Sequence, residues 1–142
     1  TLDGNGTGWG VFSGITGWQP TVTELEIQEG DNPNSDLGST GNAVLELAPS
    51  RNDGVEQTIT VAEGTEGIYR LSLQHAKRLD DASDATFQII VDGEVADTVT
   101  TTVRGTTQDY SLDLPLTAGT HTIELREVGG GNDGKGTLID TV

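Results

Sequence analysis

The chain has 142 residues, 23 acidic against 7 basic, and a formal net charge of -16. That charge repels phosphate backbones and anionic lipid surfaces and argues against nucleic acid and membrane insertion as partners. Cysteine is absent, which removes disulfides and thiolate metal sites, and so is methionine, even at the first position. The length predicts one domain, and the missing initiator predicts a module excised from a longer chain.

The leading segment, TLDGNGTGWGVFSGITGWQP, is rich in glycine and carries both tryptophans, Trp9 and Trp18. An exposed indole can carry a sugar ring, whereas Trp18, followed by Gln-Pro, reads as core or lid. Short alternating runs then predict nine strands at 22–27, 43–48, 55–61, 68–76, 86–92, 94–103, 109–115, 120–128 and 136–142. In IYRLSL, Ile68, Arg70 and Ser72 face one way while Tyr69, Leu71 and Leu73 face the other. In THTIELREV a buried stripe is expected with a register change near Glu127. Tight connections are marked by AEGTEG (62–67), DG (92–93) and TAG (117–119). The expected class is all-β, an antiparallel β-sandwich of the jelly-roll kind.

If successive strands alternate in direction, every second connection opens at the same end. Segments 49–54, 77–85, 104–108 and 129–135 then share one end, and the leading segment enters there too. The loop at 29–42 and the three tight turns take the other end. The shared end collects Asp53, Asp80, Asp81, Asp84, Asn132 and Asp133, with Asn52 beside them. Calcium takes six to eight oxygen ligands, so converging acidic loops can build a site without fixed spacing. Asp80, Asp81, Asp84, Asn132 and Asp133 are the expected metal ligands. Each loop also has a plain structural reading, since Asn-Asp-Gly is an ordinary turn and a charge run is usually a solvated face.

Arg51, Arg78 and Arg104 fall at the same end, where they either pair locally or donate to a ligand. Arg78, Asn52, Asp53, Trp9 and Arg104 are the expected ligand contacts. His75 and His121 lie inside alternating strands and read as strand residues, which argues against zinc. DNPNSD (31–36) has oxygen spacing like a calcium loop but lacks the rest of an EF-hand, so it reads as a surface loop. No serine sits in a G-x-S-x-G context, neither histidine has a nucleophile beside it, and aromatics make up 4% of the chain; an enzyme is not expected.

The succession WGVFSGITGW, ELEIQ, NAVLELAP, NDGVEQTITVAEGTEGIYRLSLQHAKR, TFQIIVDGE and GTLIDTV resembles the galactose-binding-domain-like β-sandwich modules of large bacterial RTX-type surface adhesins and related carbohydrate-binding proteins. The resemblance implies a calcium-bound jelly roll, monomeric within an extracellular cell-surface protein, that attaches to glycans or to peptides and protein termini. It also implies framework roles for Gln57, Tyr69 and Leu71, a place for Arg78 in the loop that closes the binding end, and a structural role for Asp140. KRLDDASD is more acidic than the corresponding loop of such modules, and the N-G-x-F-E strand that often begins them is absent. Four functions stay open at this point: a calcium-dependent glycan binder, a peptide-terminus binder using the same ion, a structural spacer stiffened by calcium and, least expected, a hydrolase that cleaves a polysaccharide with paired carboxylates.

Overall fold

A computed structural model describes residues 8–22, 24–29, 37, 43–47, 53–81, 85–128 and 135–142. Its strands are β1 (Trp9–Phe12), β2 (Gln19–Pro20), β3 (Leu25–Glu29), β4 (Ala43–Glu46), β5 (Gly54–Val61), β6 (Gly67–Lys77), β7 (Ala85–Val91), β8 (Glu94–Thr101), β9 (Gln108–Leu116), β10 (Gly119–Glu127) and β11 (Thr137–Asp140). They form two antiparallel sheets, one ordered β1-β3-β4-β11-β6-β9 and the other β2-β5-β10-β7-β8. The molecule is an all-β jelly-roll sandwich.

Alternation determines which side chains the sheets enclose. Leu25 and Ile27, Leu47, Leu73, Phe87, Ile89, Leu125 and Ile139 meet between the sheets as the main core. Val61, Leu114, Leu116 and Ile123 continue it toward the tight-turn end. The nine expected strands are all present, and the leading segment adds β1 and β2. No register change occurs at Glu127. Ile123, Leu125 and Glu127 share parity and are all buried, so the inward stripe runs on and ends in a carboxylate. The sheet's irregularity lies instead between Ile89 and Ile90, against β8.

A third cluster, Val44, Ala76 and Leu138, lies on the outer face of the six-stranded sheet, where Leu37 packs against it. Alternation alone would have left this face to solvent.

One flank is stitched shut between the sheets. His75 of β6 hydrogen-bonds Thr101 of β8 at 2.8 Å, and the Tyr110 hydroxyl of β9 donates to Asp97 of β8. Burial lowers the His75 pKa, so the ring is neutral, lying edge-on to Phe87. Gly54 opens β5 because nothing larger fits there. A Cβ at that position would lie 2.4 Å from the Leu125 carbonyl oxygen of β10. The glycine of Asn52-Asp53-Gly54 therefore serves strand contact rather than a turn.

The tight turns are tied together by His121. Its Nδ1 lies 2.7 Å from Asp92 Oδ2 and its Nε2 2.8 Å from the Thr117 carbonyl oxygen. Both neighbours are acceptors, so the ring serves them best with both nitrogens protonated. The Asp92 hydrogen bond first, then that to Thr117, raises the His121 pKa above its usual 6.5. A histidine raised on folding contributes stability in full below its unfolded pKa and loses it as pH rises through the folded value. Thermal unfolding of the wild type should thus show a midpoint that falls as pH rises above about 6.5, and His121→Gln should remove part of that fall. An unchanged pH profile in the variant would show that His121 is not charged in the folded state.

Candidate functional site

The loop end is assembled by the strands that stop there. β6 ends at Lys77, whose N–H donates to the Val103 carbonyl oxygen at 2.8 Å, and Arg78 to Asp81 form a turn. Arg104 Nη1 donates to the Leu79 carbonyl oxygen at 3.2 Å, and Lys135 Nζ to that of Asp80 at 2.8 Å. The Glu127 N–H bonds the Asp53 carbonyl oxygen at 3.0 Å. Asp53, Arg78, Asp80, Asp81 and Arg104 are therefore brought to one end. The turns at Asp92 and Thr117 meet at the other, through His121.

Trp9 is not part of this gathering. The leading segment folds back as β1 antiparallel to β3, pairing Trp9 with Gln28. That places Trp9 toward the far end of β3, on an edge strand separated from β6 by β3, β4 and β11. Asn52, Asp84, Asn132 and Asp133 lie outside the described residues.

Arg78 is the centre of the charged network. Its Nε and Nη2 meet the two oxygens of Asp80 at 3.0 and 3.3 Å, and its Nη1 lies 3.1 and 3.2 Å from the two oxygens of Glu46. Lys135 adds a contact of 3.3 Å to Asp80 Oδ2. Partial burial acts to raise the Asp80 carboxyl, but Arg78 and Lys135 outweigh it and hold it below the usual range. Both oxygens of Asp80 are thus committed to protein cations, and Arg104 is committed to the backbone of the same turn. These residues brace the loop.

Behind Arg78 lies a polar cluster on the outer sheet face that the sequence reading missed. Glu26 and Glu46 are cross-strand partners, and the Gln28 amide donates to both carboxylates. Glu46 also accepts from the Gly136 N–H at 3.0 Å. Burial is the largest influence on Glu46 and, with Glu26 nearby, outweighs Arg78 and Gly136 to push its pKa up to about 8.

A second buried acid closes the interior itself. Glu127 accepts the Thr86 N–H at 3.1 Å and the Thr137 N–H at 3.0 Å. Burial, reinforced by Asp81, overcomes those bonds and raises its pKa to about 7. Asp81 and Asp53 are buried at the same end, and so is Lys77. Among the described residues no three His, Asp or Glu side chains converge on a metal position. Of the expected ligands, Asp80 and Asp81 lie in the described turn, and Asp81 is buried close enough to Glu127 to help raise that carboxyl.

Neither family models nor curated proteins match the chain. Solved structures do. A family 35 carbohydrate-binding module from Clostridium thermocellum is similar with a TM-score of 0.60 at 15% identity, over 93% of each chain. The module CBM36 in complex with calcium and xylotriose gives 0.54 at 16%, covering 75% of this chain and 82% of that one. CBM35 from Paenibacillus barcinonensis gives 0.51 at 16%, covering 94% and 89%. At such identities the likeness establishes a shared β-sandwich fold.

The raised acids have a measurable consequence. Glu46 binds its proton more tightly folded than unfolded, so its contribution is complete below about pH 4.5 and is lost as pH climbs through about 8. Glu46→Gln should flatten the decline in unfolding free energy across that interval. Arg78→Met, which strips the buried acid of its cation, should cost roughly 3 kcal/mol at the alkaline side and less at the acidic side, where Glu46 is neutral. Equal losses at both pH values in denaturant titrations would show that Glu46 does not titrate in this range.

Proposed function

We propose that this chain is a non-catalytic glycan-binding module whose loop end works with bound calcium. The observation that carries the reading is the placement of Asp81 near Glu127, two buried carboxylates with Glu127 raised to about 7. They sit at the base of the end where the acidic segments 77–85 and 129–135 emerge. A divalent cation above them relieves that repulsion. Asp81, Asp84, Asn132 and Asp133 are the ligands in this reading. Asp80, Arg78 and Arg104 fix the turn that carries Asp81.

Calcium, when bound through part of its shell, accepts vicinal sugar hydroxyls in the positions left open. The neighbours support the class of ligand: several are carbohydrate-binding modules, and one was solved with calcium and xylotriose. A chain of net charge -16 favours neutral glycans over acidic ones. In the same reading the module is a single unit of a longer extracellular adhesin, turned toward glycans on a cell or biofilm surface.

The test is binding to an array of neutral oligosaccharides and of peptides with free or amidated ends, in calcium and in chelator. The expected result is glycan binding in calcium alone, weakened at least about tenfold by Asp81→Asn and by Asp133→Ala. Binding that survives chelation and both substitutions would remove calcium from the account. Capture of free but not amidated peptides, with no glycan bound, would make the module a peptide-terminus binder.

A further inference from the structure

The second sheet edge that matters lies away from the loop end. Thr141 adopts a φ of 51° just after β11 ends at Asp140. β11 therefore flanks β6 only over Gln74–Lys77. From Gly67 to Leu73, β6 has β9 as its sole strand neighbour among the described residues. β5 is left in the same condition, since β2 reaches only Val55 and Glu56. These half-paired stretches belong to opposite sheets, and between them the sandwich opens into a groove of about 350 Å³. The other flank has no such gap, because His75–Thr101 and Tyr110–Asp97 close it.

The groove has an apolar floor of Ile59, Leu71, Leu114 and Ile123. Trp18 and Gln57 supply its polar groups, and Ser72 borders it from the outer face of β6. Trp18 is delivered by a tight turn from Ile15, closed by backbone bonds of 3.1 and 3.0 Å between those two residues. Gly17, at φ 87°, holds the left-handed position of that turn. A Cβ there would also come within 3.0 Å of Gln57 Nε2. The one glycine thus shapes the turn and leaves room for the Gln57 amide.

The Trp18 indole N–H and the Gln57 amide make no side-chain hydrogen bond to the described protein. Half-buried polar groups without protein partners, set around an apolar floor, need a ligand or water to satisfy them. A pyranose matches both features: its C–H face covers an indole and aliphatic side chains, and its hydroxyls donate and accept. The one cation among the described lining residues, Arg70, is already held by Asp113 at 2.7 and 3.1 Å, so that lining offers no free positive charge to an acidic group.

We infer that this flank is a second saccharide subsite, selective for neutral sugars and independent of calcium. It extends the glycan reading without relying on the ion or on the loop end. A ligand entering here lies between the sheets at the notch below β11, so one glycan chain and the loop-end site address different surfaces of the module.

The experiment is a proton–nitrogen correlation titration of the whole chain in chelator, with xylotriose, cellotriose and galactose as separate probes at millimolar concentration. The Trp18 indole and Gln57 side-chain amide signals should move saturably with at least one probe. Gln57→Leu should melt like the wild type and weaken that binding about fivefold, whereas Ser72→Ala, on the outer face of β6, should leave it unchanged. The inference is overturned if no probe moves those signals, if they move only after calcium is added, or if the well-folded Gln57→Leu variant binds as tightly as the wild type. Repeating the titration in calcium lets the loop-end amides from Arg78 to Asp81 report the other site, so loss of one reading leaves the other separately visible.

Discussion

Positive charge is the scarce material of this molecule. Seven basic side chains serve 23 acidic ones, and the fold uses those it describes mainly on itself. Arg70 holds Asp113, Arg126 holds Glu124, Lys135 holds Asp80, and Arg78 holds both Asp80 and Glu46. Arg78 matters most because it joins two regions: the outer-face cluster of Glu26, Gln28 and Glu46, and the turn that projects from β6. Acids beyond the reach of these cations must be solvated, bonded to backbone N–H groups as Glu127 is, or protonated. An external cation at the loop end is the remaining way to satisfy acids that none of these can serve.

The strand pattern was legible because a sandwich encloses one face of each strand, and IYRLSLQHA or TFQIIVD shows that alternation directly. Connections followed from it: the shared end and the opposite end are where alternation of direction places them, for every described loop. β1 and β2 were not legible, because four and two residues flanked by glycine carry too short a period. Trp9 went astray for the same reason, since nothing in GTGWGVF shows that the chain doubles back along β3. The outer-face acids were hidden more deeply. Alternation assigned Glu26 and Glu46 to the outward face, and the Arg78 guanidinium and Gly136 N–H that meet Glu46 there come from distant parts of the chain. The apolar exception, Val44 among polar neighbours, was the one signal available. At the loop end, sequence could name the carboxylates but not divide them, and Asp80 and Asp81 differ only in which neighbours the turn gives them.

These features assign distinct tasks to different parts of one scaffold. The closed flank and the main core hold the sheets in register. At the loop end, Arg78, Lys135 and Arg104 brace the turn from Arg78 to Asp81. The open flank results from unequal strand lengths: β11 and β2 stop short, and the core between β5 and β6 is left accessible. Polar chemistry at one place and apolar chemistry with unused hydrogen-bonding groups at another follow from strand ends rather than from any single motif, which is why no short sequence signature announces either.

Calorimetric titration of calcium into the chelator-stripped chain tests the account most directly. Saturable binding, together with xylotriose affinity at the loop end that rises when the ion is present, is the predicted result. No calcium binding would contradict it, and would leave the acids of KRLDDASD as the solvated, internally paired face of an ordinary loop.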